Sequence, residues 1–251
     1  MDKDIREFGE YAGEIREGRE SNAFFDNADQ GTNAESKSDQ LVILGASNCK
    51  RCVFDQLDAG VINASISGST ISNVTPNLEL ATTEIKNPAE VSKVIICLGT
   101  NDVSRNKSRP DKINVHVTKT LEVVKNTFDN AEIGICTIIP RKGRSVHIQE
   151  LNNTTLAVND FIKTVCEEDD DVKIIDLSAI FTKEGVANQS LYDTQDSNGV
   201  HINTLGAKLI TDAFHNFRSR LDLNDRKRMR GASSTSSVPS PIIRKEKKAK
   251  C

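Results

Sequence analysis

Five short aliphatic runs alternate with stretches whose apolar residues recur every three or four positions, and that alternation confines the chain to a parallel-sheet α/β architecture. The runs are Leu41-Val42-Ile43-Leu44, Val61-Ile62-Asn63-Ala64, Lys93 to Leu98, Glu132 to Ile139, and Val172 to Asp176. Bounded runs of this kind suit strands buried on both faces. Between them the sequence predicts a helix over 48–59 and a loosely bounded one within 70–86. A third is opened by Pro110 and carries Ile113, Val117, Leu121, Val124 and Phe128; a fourth carries Leu151, Val158, Ile162 and Val165. Leu205, Leu209, Ala213 and Phe217 mark the last helix. Right-handed crossovers then put helices on both faces of a parallel sheet, with its loops gathered at the carboxyl ends of the strands; the expected form is a three-layer α/β/α, flavodoxin-like sheet of order 2-1-3-4-5. No internal repeat is visible.

The 251 residues hold more than this domain. Residues 1–39 form an acidic leader: through residue 40 there are eleven acids against five bases and few aliphatics, a composition that favours disorder. The folded domain is expected over 40–222, and 223–251 is a basic tail also expected to be disordered. From Asn224 onward nine Lys or Arg face only Asp225 and Glu246. Its clusters, Arg226, Lys227, Arg228 and Arg230, then Arg244, Lys245, Lys247 and Lys248, suit nonspecific nucleic-acid contact or nuclear import as well as a plain solvated tail. No run is long and apolar enough to span a bilayer and no signal-peptide core is present, so the expected address is intracellular, cytoplasmic or nuclear. The oligomeric state is not legible. Cys97 and Cys136 fall in predicted buried strands, and scattered cysteines do not imply disulfides. Cys49 and Cys52 form a single CxxC after a strand, readable as a redox or zinc motif or as two helix residues.

Chemistry concentrates at the strand ends. Ser47 follows the first strand in Gly45-Ala46-Ser47, where the pattern predicts that strand passes directly into helix; the position suits a nucleophile beside unpaired N–H groups, and also an ordinary N-cap. Gly68 follows the second strand, Asn101 the third in the turn Gly99-Thr100-Asn101-Asp102, and His201 precedes the last helix. Singly, the glycines read as turn residues, Asn101 as a cap and His201 as a polar residue near a helix start. His116, His147 and His215 have no such context and read as surface or helix-face residues.

Taken in order over residues 40–220, these four blocks resemble the SGNH (GDSL-like) hydrolases. The first block, Gly-Asp-Ser in that family, is Gly45-Ala46-Ser47 here. The stretch Val61 to Gly68 is similar to that of bacterial lysophospholipase/thioesterase members, and Gly99-Thr100-Asn101-Asp102 matches the third block. The last block, Asp-x-x-His, is matched at Gly199-Val200-His201 but carries Asn198 at the acid position. The resemblance implies a serine hydrolase acting on a small acyl ester such as an acetyl ester, with no cofactor or metal.

In that chemistry Ser47 attacks the ester carbonyl. The N–H groups of Ser47 and Gly68 and the amide of Asn101 hold the oxyanion, and His201 moves the proton. The substitution of an acid by Asn198 threatens turnover, because an amide favours the wrong tautomer and carries no charge. Asp196 is the candidate substitute acid. The rival reading is a catalytically impaired SGNH-fold binding module engaging RNA or DNA, resembling the retrotransposon-type or RNA-binding members. Scarce aromatics, 4% of the chain, argue against a stacking platform for single strands and leave the tail as the contact.

Overall fold

The computed structural model describes residues 40–55 and 59–220. The expected leader and tail, including the two basic clusters from Arg226 to Lys248, lie outside the described residues. Five parallel strands form the central sheet: β1 (Gln40–Gly45), β2 (Val61–Asn63), β3 (Val91–Cys97), β4 (Glu132–Cys136) and β5 (Val172–Ile175), in the order β2-β1-β3-β4-β5. This is the order read from the sequence.

Alternation along the strands divides the core between the two faces. Val42, Leu44, Val94, Ile96, Ile133 and Ile135 pack under α1 (Thr75–Glu84), α3 (Pro110–Thr127) and α4 (Val146–Glu168). On the other face Leu41, Ile43, Ile95 and Cys136 meet α6 (Thr204–Arg218), chiefly its Ile210, Phe214 and Phe217. Leu41 to Leu44 are wholly buried. At about 1.5–3 kcal/mol for each large aliphatic side chain removed from water, the three inner strands β1, β3 and β4 anchor the sheet. The chain reverses its direction of travel across the sheet at β1, and this is where open α/β sheets leave a crevice at the carboxyl ends.

Two expectations need correction. The expected helix over 48–59 is not seen among its described residues: a 3-10 turn, Cys49–Arg51, follows β1, and Cys52 is already extended, with ψ 131°. Helices this short depend on tertiary packing, and here the turn's polar groups are spent elsewhere. Asn48 and Arg51 bond to the backbone of residues 200–202. The second correction concerns Thr100 to Asp102, which open the short α2 (Thr100–Arg105) rather than stay in a turn. The polar loop after β5 also contains α5 (Leu177–Ile180) and a hairpin of β6 (Thr182–Lys183) and β7 (Val186–Ala187).

Polar side chains hold the layers in register. Asn77 of α1, fully buried, donates to the carbonyls of Gly45 (2.9 Å) and Ala64 (2.7 Å), tying α1 to the ends of β1 and β2. Asn152 and Asn159, two turns apart on α4, bond the backbone of Arg141 and Ile138 in both directions and carry the chain on past β4 as if paired to another strand. Lys93 points from β3 to the end of α6, where its ammonium donates to the carbonyls of Phe217, Arg218 and Arg220 and lies 3.6 Å from Glu132. A cation there satisfies orphan carbonyls and complements the negative end of the helix dipole.

Candidate functional site

Ser47 leaves β1 in a turn and is half-buried. It is not the N-cap of the following 3-10 turn: that position belongs to Asn48, whose side chain makes no capping bond. The N-cap reading of Ser47 is therefore set aside. Beside Ser47 a cavity of about 30 Å³ opens over the ends of β1, β3 and β4. Ser47 and Asn101 both line it, with Leu98, Ile138 and Val200 among its apolar walls and the thiol-bearing Cys97.

Asn101, in the first turn of α2, donates from Nδ2 to the carbonyl of Ser69 at 2.8 Å. That bond uses one of its two amide hydrogens and leaves the other. Its neighbour Asp102 is fully buried and accepts from the N–H groups of Ile71 (2.8 Å) and Ser72 (3.0 Å), so both residues bind the loop that follows Gly68. Gly68 is exposed at the head of that loop with φ +84°, a conformation that side chains other than glycine's resist.

The histidine side departs from the simple pattern. His201 is half-buried, and its Nδ1 is buried without a hydrogen-bond partner. Asn198, at the acid position, is exposed, and no hydrogen bond joins it to the ring. Asp196 does not bond the ring either. Its Oδ2 accepts from the backbone N–H groups of Val200 and His201, each at 2.6 Å, and its Oδ1 from that of Asn198 at 3.0 Å. Burial opposes its ionisation, yet those three N–H groups and the nearby His201 outweigh it and hold the carboxyl below its ordinary range. The structure thus brings Ser47 and Asn101 to one cavity and anchors the His201 backbone close by. Among the described residues no hydrogen bond yet joins Ser47 to His201, a looseness common in substrate-free sites.

Several contributors escaped the sequence reading. Arg141 is buried beyond β4, where its guanidinium donates to the Thr100 carbonyl (3.2 Å) and to the Ser104 hydroxyl. Burial lowers its pKa and Asp196 pulls the other way, so a fixed cation stands within the field of Asp196. The amide of Asn48 contacts the residues on both sides of His201. No sequence signal marked either residue, because each gains its role from chain segments far away. Gly199 had been matched to the last block, and its φ of +65° and its packing explain it: a side chain there would collide with the Lys142 carbonyl.

The cysteines and remaining histidines carry no second constellation. Cys49, Cys52 and Cys136 are buried free thiols, and no group of three His, Cys, Asp or Glu among the described residues is arranged to hold a metal. For Cys49 the neighbouring Cys97 thiol and burial push the pKa up, and burial drives Cys52 to about 12. Such thiols stay protonated and unreactive. His147 is exposed beside Lys107, and His215 packs on Phe54, with ring centroids 6.0 Å apart. No helix among the described residues is long and apolar enough to cross a membrane.

Solved structures share this architecture. A GDSL-like lipase from Bacteroides thetaiotaomicron superposes with a TM-score of 0.56 at 16% identity, covering 72% of this chain and 88% of its own. The lipase/acylhydrolase from Enterococcus faecalis gives 0.54 at 17%, covering 73% and 97%. The OSK domain of Drosophila Oskar also gives 0.54 at 17%, covering 76% and 99%. At such identities the likeness is one of fold. No curated protein matches the sequence. The sequence itself carries the closer relationship, because the model of one family matches residues 45–209, about two thirds of the chain and all four blocks: the protein belongs to the GDSL-like lipase/acylhydrolase family.

Proposed function

We propose that the protein hydrolyses short-chain carboxylic esters, with Ser47 as nucleophile and His201 as general base and acid. The observation that carries this reading is the shared cavity: Ser47 and Asn101 come from the ends of different strands and line the same 30 Å³ space. A small space with apolar walls at Leu98, Ile138 and Val200 suits a short acyl group. Attack by the Ser47 oxygen on the acyl carbon transfers the serine proton to His201 and moves negative charge onto the carbonyl oxygen. The backbone N–H groups of Ser47 and Gly68 and the free amide hydrogen of Asn101 are the donors for that charge. Collapse breaks the ester C–O bond as His201 returns the proton to the leaving alcohol. Water, activated by the same imidazole, then releases the acid from Ser47.

Hydrolysis of p-nitrophenyl acetate and p-nitrophenyl octanoate tests both parts. The acetate is the better substrate, and Ser47→Ala removes turnover while the melting temperature stays within about 2 °C, since a side chain outside the core costs little. Equal turnover by wild type and Ser47→Ala overturns the assignment. Inactivity of the wild type on every ester would transfer the reading to a binding module, with the basic tail as its contact.

A further inference from the structure

All six backbone polar groups of the tripeptide Val200-His201-Ile202 are hydrogen-bonded, and half of those bonds come from the turn that carries Ser47. Asp196 takes the N–H groups of Val200 and His201. The His201 carbonyl accepts from the N–H of Asp193 at 2.9 Å. The Val200 carbonyl accepts from Asn48 Nδ2 at 3.1 Å, the Ile202 N–H donates to Asn48 Oδ1 at 3.4 Å, and the Ile202 carbonyl accepts from Arg51 Nη1. The ring has no comparable restraint, because its buried Nδ1 is without a partner.

We propose that Asn48 is a positioning residue, whose amide clamps the backbone on both sides of His201 and so holds the imidazole against the Ser47 turn without a carboxylate at Nδ1. The inference rests on the esterase reading above. Its physical basis is that a primary amide presents a donor and an acceptor from one rigid plane, so it can close on the carbonyl before a residue and the N–H after it. Asn48 also adjoins Ser47 in the chain, so a displacement of the turn moves nucleophile and histidine together. Orientation of this kind contributes to the rate, and a misplacement of about 1 Å can cost on the order of a hundredfold. An Asn confined to fold stability would leave the turnover of folded protein unchanged.

The test is steady-state hydrolysis of p-nitrophenyl acetate by the full chain, with wild type, Ser47→Ala, Asn48→Ala and Asn48→Asp compared at a temperature where melting curves show each folded. Asn48→Ala is expected to lower kcat about a hundredfold with KM within about threefold, the pattern of lost orientation rather than lost binding. Asn48→Asp keeps the acceptor for Ile202 N–H and loses the donor to the Val200 carbonyl, so it falls between, at about a tenfold loss. Labelling of Ser47 by a fluorophosphonate slows in the same order. Wild-type kcat in Asn48→Ala or in Asn48→Asp, with Ser47→Ala inactive, overturns the positioning role and leaves the esterase reading standing. Equal turnover in wild type and Ser47→Ala removes the esterase reading and the inference with it. If Asn48→Ala does not fold, Asn48→Asp alone decides.

Discussion

Ser47 and Asn101 stand at the ends of β1 and β3, whose inner side chains are wholly buried, whereas His201 stands in a loop that side-chain-to-backbone bonds hold in place. The first half of the site inherits its position from the sheet. Moving Ser47 means moving strands that the core fixes on both faces. The second half is held by Asp196, five residues before His201, and by Asn48 and Arg51, about 150 residues earlier in the chain, so it forms only on folding. In the proposed reaction such a division separates the liabilities: the Ser47 side would fail by chemistry and the His201 side by geometry.

After Ser47→Ala, which removes turnover, Asn101→Ala gives the largest effect expected within this comparison. Removing one oxyanion donor costs about a hundredfold to a thousandfold in kcat, and kcat for p-nitrophenyl acetate measures it. The change deletes a single tie to Ser69 and leaves the sheet untouched, so the melting temperature should hold. A loss of stability without a loss of kcat would place Asn101 among the structural residues and blur the distinction between the halves.

Asp196→Asn should act in the opposite manner, through stability first. The amide keeps one acceptor oxygen where the carboxylate had two, at a cost of about 1–3 kcal/mol in urea unfolding for N–H groups left unpaired. The pH dependence follows from the lowered carboxyl pKa. A group whose folded pKa lies below its unfolded value, near about 4, stabilises fully above that value and loses the contribution as pH falls through the folded one. Wild-type stability should therefore decline more steeply below about pH 4 than that of Asp196→Asn. Parallel curves would mean that the carboxylate is not the anchor of the loop.

The smallest effect is expected from Asn198→Asp. A carboxylate beside Nδ1 would raise the basicity of the ring, but the side chain at 198 is exposed and makes no bond to it. Turnover should stay within about twofold of wild type, far short of the ten-thousandfold that exchange of an orienting acid can carry. A tenfold gain would show that the loop closes on His201 during the reaction.

The sheet was legible because it depends on local pattern. Buried runs such as Leu41 to Leu44 and Val94 to Ile96 cannot be solvated, and right-handed crossovers between them put helices on both faces of one parallel sheet. The family's blocks were legible for a related reason, since three of them follow strands β1, β2 and β3 and the fourth precedes α6, so their spacing is set by the fold. The region 48–59 departs from its helical pattern: Cys52 is already extended, and the side chains of Asn48 and Arg51 reach residues 200–202, contacts that no local pattern records. Lys93 looked like an ordinary strand residue, and only the arrival of the α6 terminus explains a buried ammonium there. Asn152 and Asn159, seven apart on the buried side of a predicted helix, were a signal available and unused.

By itself the sequence determined the layers, the strand order and the cluster of polar residues at the strand ends, because hydrophobic periodicity and chain chirality act over short distances. Tertiary structure alone decided that Asn198 faces solvent, that Asp196 grips backbone instead of imidazole, and that Asn48 closes on both sides of His201. Those outcomes depend on hydrogen-bond geometry between segments about 150 residues apart, where a shift of one ångström makes or breaks a bond and no local pattern records it.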